Sequence, residues 1–259
     1  KEAVAKEEQP GVEFKNVSLT YSGSGASSVE GINFKAMKGQ TIGVIGGTGS
    51  GKSSLVNLIP RLYDATQGEV LVDGVNVKDY DIEALRNKVG IVMQKAVLFK
   101  GTIRENMWMG KKGATDEQID EALEISQSKE FVDSKQGRLD YVIEQGGKNL
   151  SGGQRQRLTI ARAIVRKPDV LILDDSASAL DFATDAALRK AIRGMNNSPT
   201  VFIVSQRAAS LMYADLIIVL DDGQVAGMGT HDELLANCEV YKEIYESQFK
   251  KADSEGGVA

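Results

Sequence analysis

The sequence predicts an α/β fold in which a mostly parallel sheet carries a phosphate-binding loop and a helical segment is inserted into the sheet domain. Short apolar runs rich in β-branched residues occur at 41–45, 170–173 and 200–204, as in strands buried on both faces of a parallel sheet. A glycine-rich loop separates the first run from a helical stretch. From 102 to 166, helical spacing replaces the strand signals, which predicts the insertion.

The glycine-rich loop is Gly46-Gly-Thr-Gly-Ser-Gly-Lys-Ser53, and it fits the pattern G-x-x-x-x-G-K-[S/T] at every fixed position. A loop that wraps a phosphate must point successive backbone N–H groups inward, which requires the positive φ values that glycine tolerates. The helix that follows adds further N–H groups and the positive end of its dipole. The loop therefore predicts that Lys52 reaches the β- and γ-phosphates of a nucleotide and that the Ser53 hydroxyl binds Mg²⁺.

Composition limits the class of protein. The chain has 259 residues, of which 42% are hydrophobic, and this is enough for a substantial core. The net charge of −5, together with the lack of a long basic stripe, argues against nucleic acid as a partner. Cys238 is the single cysteine, so no internal disulfide can form and a reducing compartment is favoured. No apolar run approaches the ~18 residues of a membrane span.

The N-terminal part has strand character with one irregularity. Apolar residues at Val12, Phe14, Val17, Leu19 and Tyr21 alternate except between the second and the third, which predicts a bulge or two short strands. Tyr21 lies just before a glycine-rich turn. It either stacks on an adenine ring or is an ordinary strand tyrosine.

Polar residues follow two of the predicted buried strands. Gln94 follows Val89–Met93, at the edge of the sheet where open α/β proteins bind ligands; it either reaches Mg²⁺ or the attacking water, or caps the strand. Asp174 and Asp175 follow Val170–Leu173. Adjacent carboxylates are costly there unless they face a cation, so Asp174 is the expected Mg²⁺ partner of the loop, and a solvated turn is the alternative.

The predicted insertion contains a second glycine motif. Thr115 begins a capped helix, and Leu150-Ser-Gly-Gly-Gln154 leads into a helix with an apolar stripe. The second start is either an anion-binding helix terminus or a plain N-cap with a glycine turn. Beyond the insertion, 184–195 is expected to be an amphipathic helix, and 231–249 one or two helices with a break at 236–237.

Together these motifs resemble the nucleotide-binding domain of an ATP-binding-cassette (ABC) transporter. The phosphate loop, Gln94, Leu150–Gln154 and Val170–Asp174 occur in that family's order and spacing, and Leu150–Gln154 matches its signature sequence. The resemblance covers about residues 12–248. It implies the P-loop NTPase fold, with a RecA-like, mostly parallel sheet core, an N-terminal antiparallel β subdomain, and a helical subdomain at about residues 100–167 inserted in that core.

Further segments narrow the resemblance to exporters. Phe99–Asn106 resembles the segment after the glutamine loop of multidrug and lipid exporters, Val142–Gly147 resembles the acidic loop that touches their membrane domain, and Gly229–Leu235 also matches them. In such exporters this domain follows six membrane helices. The resemblance therefore implies that residues 1–11 are a linker from a membrane domain and that the domain lies at the cytoplasmic face of the cell membrane. Residues 249–259 are expected to be a flexible tail.

The resemblance implies roles for the site residues, with ATP and Mg²⁺ as ligands. Tyr21 would stack on adenine, while Ser53, Gln94 and Asp174 would hold Mg²⁺ directly or through water. The signature would cap the γ-phosphate of an ATP on a second nucleotide-binding domain, so that two domains close head to tail around two ATPs and drive the membrane domains between two states. The residues expected to contact nucleotide are Tyr21, Gly46, Gly47, Thr48, Gly49, Ser50, Gly51, Lys52, Ser53, Ser54, Ser151, Gly152, Gly153 and Gln154.

Two positions depart from the family's pattern. Where the family has a glutamate general base, this chain has Asp175, whose carboxylate is one methylene shorter, and a general base must lie within ~2.6–3.2 Å of its water. Where the family has the switch histidine, this chain has Gln206, which can hydrogen-bond to the γ-phosphate but carries no titrating proton. His231, the single histidine, matches a different family position.

Both departures fall on the site built on this chain's own phosphate loop, whereas the signature is intact. Lys52, Gln94, Asp175 and Gln206 are the predicted catalytic residues of that site, which is expected to be slow. The chain is then predicted to pair with a different chain, to which it lends its signature. The alternative is a homodimer with slow turnover in which Asp175 and Gln206 are working variants.

Other ABC classes remain as rival interpretations. A soluble ABC-type ATPase of DNA repair, chromosome structure or translation usually has long coiled coils or two cassettes in one chain, and this sequence has neither. A regulatory cassette that binds ATP without hydrolysis is compatible with Asp175 and Gln206. An importer subunit is disfavoured by the segments 99–106 and 142–147.

Overall fold

The computed structural model describes residues 9–176 and 178–255, with side chains up to residue 249. The chain divides into two compact units, residues 1–86 with 200–259, and residues 87–199. Most of the expected linker and the end of the expected tail lie outside the described residues. Within the described residues, no helix is both long and apolar enough to span a bilayer.

In chain order, the strands of the described residues are β1 (Val12–Leu19), β2 (Val29–Ala36), β3 (Thr41–Gly46), β4 (Gln67–Val72), β5 (Val75–Asn76), β6 (Val89–Val92), β7 (Gly101–Thr102), β8 (Val142–Ile143), β9 (Val170–Asp174), β10 (Thr200–Val204), β11 (Leu216–Asp221) and β12 (Gln224–Gly229). The α-helices are α1 (Lys52–Asn57), α2 (Ile82–Lys88), α3 (Ile103–Gly110), α4 (Asp116–Ile125), α5 (Lys129–Asp133), α6 (Gly152–Ile164), α7 (Phe182–Arg193), α8 (His231–Asn237) and α9 (Glu239–Glu255).

The first unit contains an antiparallel sheet with the strand order β2-β1-β4-β5. Phe14 pairs with Phe34 and Val17 pairs with Ile32, and the register shifts between the two pairs. The irregularity predicted between Phe14 and Val17 is therefore confirmed. The rings of Phe14 and Phe34 stack with centroids 4.5 Å apart. This cross-strand aromatic pair stabilises the pairing of β1 with β2.

The phosphate-loop strand lies in the parallel sheet of the same unit. β3 pairs in parallel with β10 and with β11, and β12 pairs antiparallel with β11 across the turn at Asp222–Gly223. Every residue of β10, and all of β3 except Thr41, is buried, as the continuous apolar runs predict. The sheet therefore holds the start of the phosphate loop, at Gly46, rigidly in its interior.

The second unit is built on the parallel pair β6 and β9, in register from Val89 opposite Val170 to Val92 opposite Leu173. Helix α6 packs against α3 and α4 around an apolar core that includes Ile103, Met107, Ile119, Leu123, Leu158 and Ile160. This unit extends beyond the insertion expected at 100–167. It also contains the two-stranded ladder of β7 and β8, which the helical interpretation of this segment missed.

Several helix ends differ from the predicted ones for local reasons. Helix α7 begins at Phe182 because Asp181 is its N-cap, with the Oδ1 atom accepting a hydrogen bond from the Thr184 backbone N–H at 2.9 Å. This contact also lowers the pKa of Asp181. The region 231–249 forms two helices, and the break expected at 236–237 lies one residue later, at Cys238, because α8 includes Asn237. Helix α9 then runs to Glu255, so helical structure extends into the expected tail.

Close contact between α3 and α6 makes Gly110 the glycine least tolerant of a side chain in the second unit. A Cβ atom at this position would lie 1.9 Å from the Arg162 carbonyl oxygen and 2.8 Å from Val165 Cγ1. The backbones must separate to admit it, so we expect Gly110→Ala to lower the free energy of unfolding by about 1–3 kcal/mol. The urea midpoint of the purified chain measures this change.

The matched control for Gly110→Ala is Gly194→Ala, at the end of α7. A Cβ atom there would meet only backbone oxygens of its own helix, at 3.5 and 3.6 Å. We expect this variant to unfold within about 0.5 kcal/mol of the parent. Equal midpoints for the two variants would show that α3 and α6 separate without loss of stability.

Candidate functional site

In the first unit, the glycine-rich loop follows β3 directly and ends in the first turn of α1. Gly49 and Gly51 have φ values of +78° and +98°, which is the backbone conformation that the loop was predicted to need. Gly51 is also the residue that precedes α1, where no side chain caps the helix. The loop therefore has the shape that the sequence predicts for wrapping a phosphate.

The glycines of this loop have two different surroundings. A Cβ atom on Gly46 would lie 2.3 Å from the Leu220 carbonyl oxygen, and one on Gly51 would lie 2.4 Å from the Ser28 carbonyl oxygen. In contrast, a Cβ atom on Gly47 or on Gly49 would meet nothing within 4 Å. Gly46 and Gly51 thus allow the loop to pack closely against neighbouring backbone. Gly47 and Gly49 leave one side of the loop open to a ligand.

Lys52 curls over the loop rather than extending into solvent. Its Nζ atom donates hydrogen bonds to the Gly46 and Gly47 carbonyl oxygens at 2.8 Å each, and the residue is 9% exposed. Ser50 Oγ is buried without a hydrogen-bond partner among the described residues. Ser53, which follows Lys52, is exposed. The loop thus holds a buried ammonium group and a buried hydroxyl next to its open side, a combination suited to an anion.

Tyr21 lies beside the first turn of α1. Its hydroxyl is 2.8 Å from Ser54 Oγ, and its ring meets the ring of Tyr63 edge to face at 4.8 Å. Tyr63, which is 46% exposed, is an aromatic neighbour that the sequence interpretation missed, because nothing in the local pattern relates it to Tyr21. Because Ser54 directly follows the phosphate loop, the two rings form an aromatic surface next to the end of that loop.

Gln206 approaches the phosphate loop from the segment after β10. Its Nε2 atom is 3.5 Å from Thr48 Oγ1, at the limit of a hydrogen bond. His231 is engaged elsewhere in the first unit, with Nδ1 2.7 Å from the Tyr241 hydroxyl. The structure therefore puts glutamine, and not the single histidine, next to the loop.

In the second unit, the predicted polar strand ends of β6 and β9 come together. Gln94 Nε2 donates a hydrogen bond to Asp175 Oδ2 at 3.1 Å, although the two residues are 81 positions apart. Asp174 ends β9 and is 6% exposed. Asp175 has a φ of +48°, a conformation that aspartate adopts more readily than longer side chains do. The half-buried Asp175 is thus oriented by a side-chain partner from the neighbouring strand end.

The signature segment also lies in the second unit, at the start of α6. Ser151 Oγ accepts a hydrogen bond from the Gln154 N–H at 3.2 Å, and Gln154 Oε1 accepts one from the Ser151 N–H at 3.1 Å. This reciprocal capping box fixes the helix start, and it leaves Ser151 and Gly152 exposed. Both the N-cap and the anion-binding interpretations are compatible with this geometry, because the box uses the serine oxygen only as an acceptor.

Comparison with known proteins identifies the family. The family model described as ABC transporter matches residues 29–178, more than half of the chain. An uncharacterized ABC transporter ATP-binding protein, YfiB of Bacillus subtilis, is 43% identical over 94% of this chain and 42% of its own length. The putative multidrug export ATP-binding/permease protein YgaD of the same organism is 40% identical over 93% of this chain and 40% of its own length.

A solved structure agrees with these relatives. It is described as a bacterial Atm1-family ABC exporter with ATP bound, and it matches with a TM-score of 0.87 and 32% identity over 92% of this chain and 42% of its own. The chain spans about two fifths of the length of these proteins. By its fold, its phosphate loop and these matches, the chain belongs to the ABC transporter family, as one of its ATP-hydrolysing nucleotide-binding domains.

Proposed function

We propose that this chain is the motor domain of an ABC exporter, which dimerises head to tail around ATP and powers the transport of a substrate across the cell membrane. The observation that carries this proposal is the phosphate loop, where buried Lys52 lies beside the open side of Gly47 and Gly49. Loop amides and Lys52 bind the β- and γ-phosphates of ATP, and Gln206, which lies next to Thr48 of the loop, hydrogen-bonds to the γ-phosphate. The rings of Tyr21 and Tyr63 offer a surface for adenine.

The residues that the family resemblance assigns to Mg²⁺ carry donor atoms that suit this ion. Ser53, Gln94 and Asp174 offer hydroxyl, amide and carboxylate oxygens, which are the donors that Mg²⁺ accepts alongside substrate phosphates. Gln94 spends its Nε2 atom on Asp175, so its amide oxygen is the atom available to a cation. When bound, the ion neutralises charge on the phosphates. Asp175, as the general base, orients the attacking water and accepts its proton.

Two segments of the second unit support the exporter class. Phe99–Asn106 and Val142–Gly147 carry the exporter resemblance, and the ladder of β7 and β8 joins them, with Gly101 opposite Ile143 and Thr102 opposite Val142. Phe99 and Val142 are 46% and 56% exposed. Val142 belongs to the segment that resembles the loop touching the membrane domain in exporters, and the ladder joins the segment of Phe99 to it. We therefore propose that these apolar side chains contact such a domain at the cytoplasmic face of the membrane. These segments give no such support to the rival proposals that the chain is an importer subunit or a soluble ABC ATPase.

The pairing proposal rests on the two departures from the family. The family resemblance assigns Asp175 and Gln206 to the site of this chain's own phosphate loop, while the signature sequence at Ser151 is intact. We propose that the chain pairs with a different chain whose site has the glutamate and the histidine. A slow homodimer is the second candidate.

A complementation experiment tests whether two copies share each site. Lys52→Ala disables the phosphate loop, and Gly152→Asp puts a negative charge where the signature would meet the γ-phosphate. A Cβ atom on Gly152 meets only Arg155 Nη2, at 3.8 Å, so the second variant is expected to fold. Both changes are made in the Asp175→Glu, Gln206→His background. We expect neither variant alone to hydrolyse ATP and an equimolar mixture to recover turnover.

The control mixture pairs Gly152→Asp with a chain that carries both disabling changes, in which each shared site lacks a phosphate loop or a signature. We expect no recovery in this mixture. If the first mixture also stays inactive, although each variant is folded and Gly152→Asp binds ATP, two copies of this chain do not pair head to tail and the homodimer proposal is wrong.

A further inference from the structure

One side chain of the C-terminal helix makes two hydrogen bonds to the backbone of residues 206–208, the segment that contains Gln206. Gln248, on α9, donates from Nε2 to the Gln206 carbonyl oxygen at 2.6 Å. The Oε1 atom of the same amide accepts a hydrogen bond from the Ala208 backbone N–H at 2.9 Å. A planar amide that bonds two backbone groups at once fixes their separation and orientation more tightly than a single hydrogen bond does.

These two hydrogen bonds are made where the segment passes from β10 into a 3₁₀ turn. β10 ends at Val204, and the 3₁₀ turn of Ala208–Ser210 begins four residues later. Between them, Gln206 and Arg207 are exposed, whereas Ala208 is fully buried. A buried backbone N–H that loses its partner is costly, so Gln248 stabilises this segment in the conformation that brings Gln206 Nε2 to 3.5 Å from Thr48 Oγ1.

Helix α9 is itself anchored two turns earlier. Tyr241 is fully buried and hydrogen-bonded to His231 at 2.7 Å, and burial raises the pKa of its hydroxyl to about 12. Tyr241 and Gln248 are seven positions apart and therefore lie on the same face of the helix. Because buried Tyr241 anchors α9, the helix fixes the position of the Gln248 amide beside residues 206–208.

We propose that Gln248 is a positioning residue for Gln206, through which the C-terminal helix sets how well the chain discriminates ATP from ADP. The inference rests on the proposed function, in which Gln206 contacts the terminal phosphate of ATP. Lys52 and the loop amides also contact the β-phosphate, which ADP retains, whereas Gln206 would contact only the γ-phosphate, which ADP lacks. Displacement of Gln206 should therefore weaken ATP binding and leave ADP binding unchanged.

The test compares ATP and ADP affinities, by calorimetry with Mg²⁺, for the 259-residue chain and for Gln248→Ala. We expect the ratio of ATP to ADP affinity to fall about three- to tenfold, the size of one lost hydrogen bond, with ADP affinity unchanged. Hydrogen exchange of the backbone amides of 206–208 should become faster. Gln248→Glu keeps the acceptor for Ala208 but loses the donor to Gln206, so it should give the same loss. Ser247→Ala, whose hydroxyl bonds only within α9, is the matched control and should change neither affinity.

Gln206→Ala separates the inference from the function on which it rests. If this variant leaves the affinity ratio unchanged, Gln206 does not contact the terminal phosphate and that part of the proposed function is wrong. If Gln206→Ala lowers the ratio but Gln248→Ala does not, the positioning role is overturned. When both lower it, the double variant should be no worse than Gln206→Ala alone. A fall in ATP and ADP affinity together would show a general structural effect and would overturn the proposal.

Discussion

The double change Asp175→Glu, Gln206→His is expected to raise steady-state ATP turnover of this chain by about 10²-fold or more, the lower end of what a positioned general base contributes. The Asp175 carboxylate now accepts a hydrogen bond from Gln94 at 3.1 Å. An added methylene extends the carboxylate by about one bond length, toward the reach that the family's glutamate has. A histidine at 206 adds a group that titrates near neutral pH. Phosphate release at high protein concentration measures the change.

The single variants separate the two contributions. Asp175→Glu alone should give most of the gain, while Asp175→Gln, which has the length of glutamate but cannot act as a base, should give none. The φ of +48° at this position makes a longer side chain less favourable there, so unfolding is monitored in parallel. If the parent chain already turns over on the order of once per second, Asp175 and Gln206 are working variants and the homodimer is the better proposal.

The phosphate loop was predictable because its chemistry determines its residues. Gly51 must have a positive φ and admits no Cβ atom, and Lys52 completes the motif, so sequence and geometry correspond residue by residue. The irregularity between Phe14 and Val17 was equally accessible, because a change of phase in an alternating apolar pattern indicates either a bulge or a break between two strands. Features of this kind are encoded within a few consecutive residues.

The features that escaped prediction depend on residues far apart in the chain. The ladder of β7 and β8 consists of two-residue strands, which are too short to show any period. The bond between Gln94 and Asp175 joins positions 81 residues apart, and Gln248 meets Gln206 across 42. The last two are side-chain contacts between distant residues, for which neither a hydrophobic period nor a cap pattern gives a signal. In contrast, the start of α7 was within reach, since Asp181 followed by Thr184 is an N-cap pattern.

Lys52→Ala is expected to lower the ATP affinity of the chain by about 10- to 100-fold, the effect of losing a charge-assisted contact to phosphate. The Nζ atom of Lys52 already lies at the open side of the loop, held by the Gly46 and Gly47 carbonyl oxygens at 2.8 Å each. Lys52→Arg should not restore binding, because the planar guanidinium is larger and this position is 9% exposed. Fluorescent nucleotide binding measures the affinities, and unchanged ATP affinity in Lys52→Ala would exclude this loop as the phosphate site.

The same substitution also distinguishes the two pairing proposals. In a pair formed with a chain that has the glutamate and the histidine, this chain's own site is slow and most hydrolysis occurs at the partner's phosphate loop. Lys52→Ala here should then reduce turnover of the pair by less than half, whereas the equivalent lysine change in the partner should remove nearly all of it. Such an asymmetry is expected under the proposal that Asp175 and Gln206 serve one site while the signature serves the other. Equal losses from the two lysine changes would mean that both sites contribute equally, which would contradict the slow-site proposal.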